Sequence, residues 1–112
     1  MNDKIIEFTV GVNTYKLQLR TKQCILLEKK LGQSPLDLLM RLEDGKLPQL
    51  NDMITIITVG MMVHQPTMNE NKVADLLDDY VEEGHSYMEL LEVIVSLLAK
   101  SGYINQELDV QE

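Results

Sequence analysis

Residues 53–63 and 88–99 are apolar on nearly every side, and a chain of 112 residues has few ways to keep two such helices from water. In the first run Met53, Ile54, Ile56, Ile57, Val59, Met61, Met62 and Val63 leave no polar face. In the second, only Glu89, Glu92, Ser96 and Lys100 form a polar strip. β-Branched content favours a strand over 51–64. The run outlasts most strands, however, and Asn51 or Asp52 stands where a cap belongs, so it reads as a buried central helix. Gly60 is then expected to mark a close helix crossing. The second run is either the core helix or the contact with another subunit. A 12.8 kDa chain buries about two-thirds of its extended surface on folding. That supports one domain over 1–112 and leaves surplus apolar flank to share with further copies or a client.

The first twenty residues alternate instead. Ile6, Phe8 and Val10 share one face, then Tyr15, Leu17 and Leu19 share another, which is strand periodicity. Strands are expected at 4–10 and 14–20, joined through Gly11-Val12-Asn13-Thr14. From Thr21 the period becomes helical: Thr21 is the expected cap, Cys24, Leu27 and Leu31 face inward, and Gly32 is the stop. Ser34-Pro35 restarts a helix, with Leu36, Leu39 and Met40 inward and Gly45 just past its end. Thr67 and Glu70 form a capping-box pair before a helix with Val73, Leu76, Leu77, Tyr80 and Val81 on one face, stopped by Gly84. Ser86 and Glu89 form a second such pair, opening a helix through Ser101 that Gly102 ends. The predicted fold is α+β, mostly α: a β-hairpin at 4–20, about five helices in 21–102, and a frayed tail at 105–112.

The formal charge of −8 disfavours nucleic acid and anionic membranes as partners. Its distribution is uneven: residues 1–50 hold eight Lys/Arg and six Asp/Glu, and residues 51–112 hold two and twelve. With one Phe, four Tyr and no Trp, a base-stacking platform is hard to build. No charged leader precedes an apolar stretch and no run approaches the ~20 residues of a membrane span, so a soluble cytoplasmic protein is expected.

Catalytic and metal chemistry find little support. His64 and His85 are the only imidazoles and have no ligand spacing to one another, and the single Cys24 sits on an inward helix face where a thiol packs as a small hydrophobe. Residues 78–89 have the length of a calcium loop, but Glu83 occupies the position that needs glycine. Ser34 has only part of a phosphopantetheine carrier signature, because Gln33 and Pro35 flank it in place of aspartate and leucine. There is no phosphate loop, no G-x-S-x-G and no H-E-x-x-H. The expectation is a non-enzyme without cofactor or metal.

Two features remain. Asp75, Asp78, Asp79, Glu82 and Glu83 crowd one helix against its dipole and against each other at i, i+4. Arg20, Lys22, Lys29 and Lys30 of a second copy are the complementary charges for a head-to-tail contact. The seven methionines suit a surface that repacks around its partner. Met53, Ile57, Met61, Met62, Met88, Leu91 and Val95 are accordingly the expected partner-binding residues.

The order "FTVGVNTYKLQLRT", "LEKKLGQSPLDLL", an apolar helix, "VADLLDDYVEEG", "GHSYMELLE" and "ELLEVIVSLLAKSGY" over residues 5–104 resembles the tail assembly chaperones of long-tailed phages and prophages of Gram-positive bacteria. The resemblance implies an oligomeric, non-enzymatic protein that holds the tape measure protein while the tail tube polymerises. It also implies the tail tube protein as a second partner and a place in the host cytoplasm, with no place in the finished virion. It implies a longer, frameshifted form as well. A different class is an acidic inhibitor or adaptor whose 75–83 face imitates nucleic-acid phosphates and binds a basic enzyme as a monomer.

Overall fold

A computed structural model of the chain describes residues 4–104, so the expected frayed tail at 105–112 lies outside the described residues. Strands β1 (Ile6–Val10) and β2 (Asn13–Leu17) form an antiparallel hairpin, followed by helices α1 (Thr21–Leu31), α2 (Pro35–Glu43), α3 (Leu50–Met61), α4 (Glu70–Glu82) and α5 (Tyr87–Ala99). The strands are shorter than the alternation predicts. Val10 pairs with Asn13 across a two-residue turn whose Gly11 has φ 63°, the positive value that glycine takes at the first central position. The sheet ends at Leu17, the last residue paired with β1, and the Gln18 N–H, which faces away from β1, donates to the Gly60 carbonyl at 2.9 Å and ties the chain to α3.

α3 is the central helix. Met53, Ile56, Ile57, Val59 and Met61 are buried, with α1, α4, β2 and α5 packed around them. A fully buried aliphatic side chain is worth about 1.5–3 kcal/mol, so this helix is held by packing more than by propensity. Its two buried threonines are satisfied locally: Thr58 Oγ1 donates to the Ile54 carbonyl at 2.7 Å, and Thr55 Oγ1 donates to the Asn51 carbonyl at 3.2 Å and to Glu70 Oε2 at 3.1 Å. Gly60 does mark a close crossing. A Cβ there would stand 2.9 Å from Leu97 Cδ2 of α5 and 3.6 Å from Leu17 Cβ of β2.

Several caps differ from the sequence reading. Thr21 is the first helical residue of α1, and Arg20 is its cap, with the Arg20 N–H donating to Gln23 Oε1 at 3.1 Å. α3 starts after Gln49, earlier than Asn51 or Asp52 suggest. Asn69, not Thr67, caps α4, accepting from the Lys72 N–H at 2.9 Å. α5 ends at Ala99, two residues before the expected Ser101. Ser34 and Ser86 act as expected, accepting from the Asp37 and Glu89 amides.

Candidate interaction surface

Met53, Ile57 and Met61 are fully buried and Leu91 is buried, so these four do not form the expected partner surface. They face the interior because α3 and α5 shield each other and are roofed by the hairpin, α1, α2 and α4. Met62 and Met88 are exposed and Val95 is half-buried.

The exposed apolar residues gather elsewhere. Leu36 and Met40 stand at i, i+4 on α2, Leu47 and Leu50 flank the α2–α3 connection, and Tyr87 and Met88 open α5. The expectation that Leu36 and Met40 point inward is thus corrected: Pro35, Leu38 and Leu39 carry the buried face, and Met40 is 55% exposed. The Tyr87 hydroxyl donates to the Pro48 carbonyl at 2.6 Å, tying the start of α5 to the connection. Beside the connection lies a groove of about 340 Å³, floored by Leu38, Leu42, Ile56, Ile94 and Leu98 and edged by Leu47 and by the polar Gln33, Arg41, Lys46, Gln49 and Asp52. The sequence signal for this site was present but two-sided: α2 has leucines on more than one face, and nothing in their spacing says which face meets α5.

The charged residues lie where solvent reaches them. Arg20, Lys22, Lys29, Lys30, Asp75, Asp78, Asp79, Glu82 and Glu83 are all exposed. Among the described residues, only Glu83 of this set makes an ion-pair contact, its carboxylate lying 3.6 Å from His85 Nε2. Lys30 borders a hollow with Asn69, Glu70 and Asn71 at the start of α4, while Asp79, Glu82 and Glu83 border another at the hairpin turn. The thirteen residues of α4 therefore hold the two charge groups about 18 Å apart.

The remaining titratable groups are engaged structurally. His64 Nε2 lies 2.9 Å from Gln18 Oε1. His85 stacks on Tyr80 at 4.3 Å and sets Nδ1 2.7 Å from Glu89 Oε1. Burial, then Glu89 and Glu92, raise the Tyr80 hydroxyl above its ordinary pKa. Burial, then Glu28, raise the Cys24 thiol, which works against thiolate formation. No cluster of three or more His, Cys, Asp or Glu suited to a metal occurs among the described residues. No helix among them is long and apolar enough to cross a membrane.

A family model described as "Family of unknown function (DUF6096)" matches residues 4–109, and the chain belongs to that family. No curated protein and no solved structure matches it.

Proposed function

We propose that this DUF6096 member is a non-enzymatic assembly chaperone of the phage-tail kind, whose client is an apolar helical segment of the tape measure protein. The observation that carries the reading is the groove between α2, the α2–α3 connection and α5, whose apolar floor of Leu38, Leu42, Ile56, Ile94 and Leu98 opens beside the exposed Leu47. An amphipathic or apolar helix laid into such a groove is held by anchors at i, i+3, i+4 and i+7, and methionine adapts to a client of varied sequence. Lys46 at the edge suits an acidic residue flanking the client helix, while Arg41 is paired with Asp37 at 3.1 Å and Asp52 shares the lining. The −8 charge keeps the complex in solution. In this role the protein works in the bacterial cytoplasm, associates with its own copies through the α1 and α4 charges, meets the tail tube protein as the tube grows, and leaves before the virion is finished.

Co-expression with the tape measure protein tests it. The client is expected to stay soluble with this chain and to precipitate without it. Leu47→Glu should abolish protection while leaving the fold intact, since Leu47 lines the groove and its side chain is exposed. Equal client solubility in the absence of the chain would overturn the reading.

A further inference from the structure

The two edges of the hairpin are finished differently. On β2 the outward peptide groups of Lys16 are taken up. Gln65 Oε1 accepts from the Lys16 N–H at 3.0 Å and Gln65 Nε2 donates to the Lys16 carbonyl at 3.0 Å, so one side-chain amide stands in for a peptide of a third strand. A third bond, from Gln65 Nε2 to the Met61 carbonyl at 2.8 Å, fixes that amide to the end of α3. The Gln18 N–H goes to Gly60, so the β2 edge offers no further pairing at Lys16 or Gln18.

Among the described residues nothing covers the β1 edge in this way. Glu7 pairs with Lys16, and Thr9 with Thr14. Lys16 turns both peptide groups away from β1, so these are the non-hydrogen-bonded pairs of the ladder and Glu7 and Thr9 likewise turn theirs outward from β1. Both residues are exposed. Among the described residues, the only hydrogen bond either makes outside the ladder is between Thr9 Oγ1 and Thr14 Oγ1 at 3.0 Å, and none of them partners the outward N–H and carbonyl of Glu7 or Thr9. An open strand edge of this kind accepts another strand.

We propose that β1 pairs antiparallel with β1 of a second copy about a two-fold axis at Phe8, making one four-stranded sheet. The register selects this occupant. Outward residues two apart, related by a two-fold at the residue between them, place Glu7 opposite the second copy's Thr9 and Thr9 opposite its Glu7. Each pair exchanges two backbone hydrogen bonds, and no like charges face one another. The antiparallel direction also brings the Lys4 end of each β1 alongside the other's hairpin turn. There the Glu83 carboxylate lies so close to Gly11 that a Cβ would stand 3.3 Å from Oε2, with Asp79 and Glu82 beside it. The contact is isologous and closes at two copies. It involves neither the apolar groove nor the α1 basic residues, so it stands or falls apart from the client reading.

Sedimentation equilibrium at about 0.5 M salt, where the Debye length is roughly 4 Å and exposed charge contacts are screened, reads it out. The wild-type chain should show twice the 12.8 kDa protomer mass. Thr9→Pro removes an outward N–H that the hairpin ladder does not use, and proline is tolerated on an edge strand. The mass should fall to the protomer value with the circular dichroism spectrum unchanged. A second measurement does not depend on that variant folding. Glu7→Cys mixed with Thr9→Cys should oxidise to a mixed disulfide, whereas Glu7→Cys alone should not, because the two Glu7 positions are offset along the strands by two residues, about 7 Å. Cys24 is buried and does not compete. A wild-type monomer, a dimer untouched by a folded Thr9→Pro, or equal cross-linking of like and mixed pairs would overturn the proposal.

Discussion

Gly60 is where α3, α5 and β2 come closest, and its carbonyl also receives the Gln18 amide, so backbone and packing constrain the same residue. Glycine to alanine inside a helix ordinarily gains about 1 kcal/mol. Here the added methyl meets Cδ2 of Leu97, which is itself fully buried. Gly60→Ala is therefore expected to destabilise by about 1–2 kcal/mol net, as overpacking exceeds the propensity gain. Urea denaturation measures this, and a higher midpoint for the variant would mean that the crossing has slack. Gly60 was legible in the sequence because a lone glycine in an otherwise apolar helix leaves few explanations besides close approach. Leu36 and Met40 were not, because their exposure depends on which side of α2 meets α5.

At the scale of elements, helix existence followed from apolar period and stop residues, whereas helix starts followed from tertiary contacts. Thr67 and Asn69 are both competent caps by chemistry. The chain is still turning at Met68, whose N–H donates to the Gln65 carbonyl at 3.0 Å, so the helix begins two residues after Thr67 and Asn69 takes the Lys72 amide. Asn69→Ala should cost about 1 kcal/mol and Thr67→Ala close to nothing, a contrast that paired thermal melts resolve. α3 shows the same rule. The Tyr87 bond to Pro48 fixes the direction of the connection, and the helix starts at Leu50 although Gln49 makes no side-chain cap bond. β2 is tied to α3 in a similar way, since the Gln18 N–H on its outer edge bonds the Gly60 carbonyl. Tyr87 and Pro48, like Gln18 and Gly60, are far apart in sequence, so local pattern could not locate those contacts, whereas the turn from Gln65 to Met68 is local and carries no mark in the cap chemistry.

At the scale of the molecule, the division into a mildly basic first half and an acidic second half becomes a separation in space, with Lys29 and Lys30 at one end of α1 and the acidic residues toward the far end of α4. Head-to-tail association through these groups should weaken as salt rises and be lost in Lys29→Glu with Lys30→Glu, read by light-scattering mass across a salt series. Association that is indifferent to both changes would exclude this contact. The expected apolar partner surface, by contrast, was misplaced onto α3 because hydrophobicity on every side of a helix is also the mark of an interior. Whether a run is core or contact depends on how many neighbours the topology supplies, and here α3 has four. The glutamine amide that plugs Lys16 has a last implication. A ribbon whose far border is stoppered at its middle offers a poor template after a single docking event, so stacking into fibres is disfavoured even when copies are crowded.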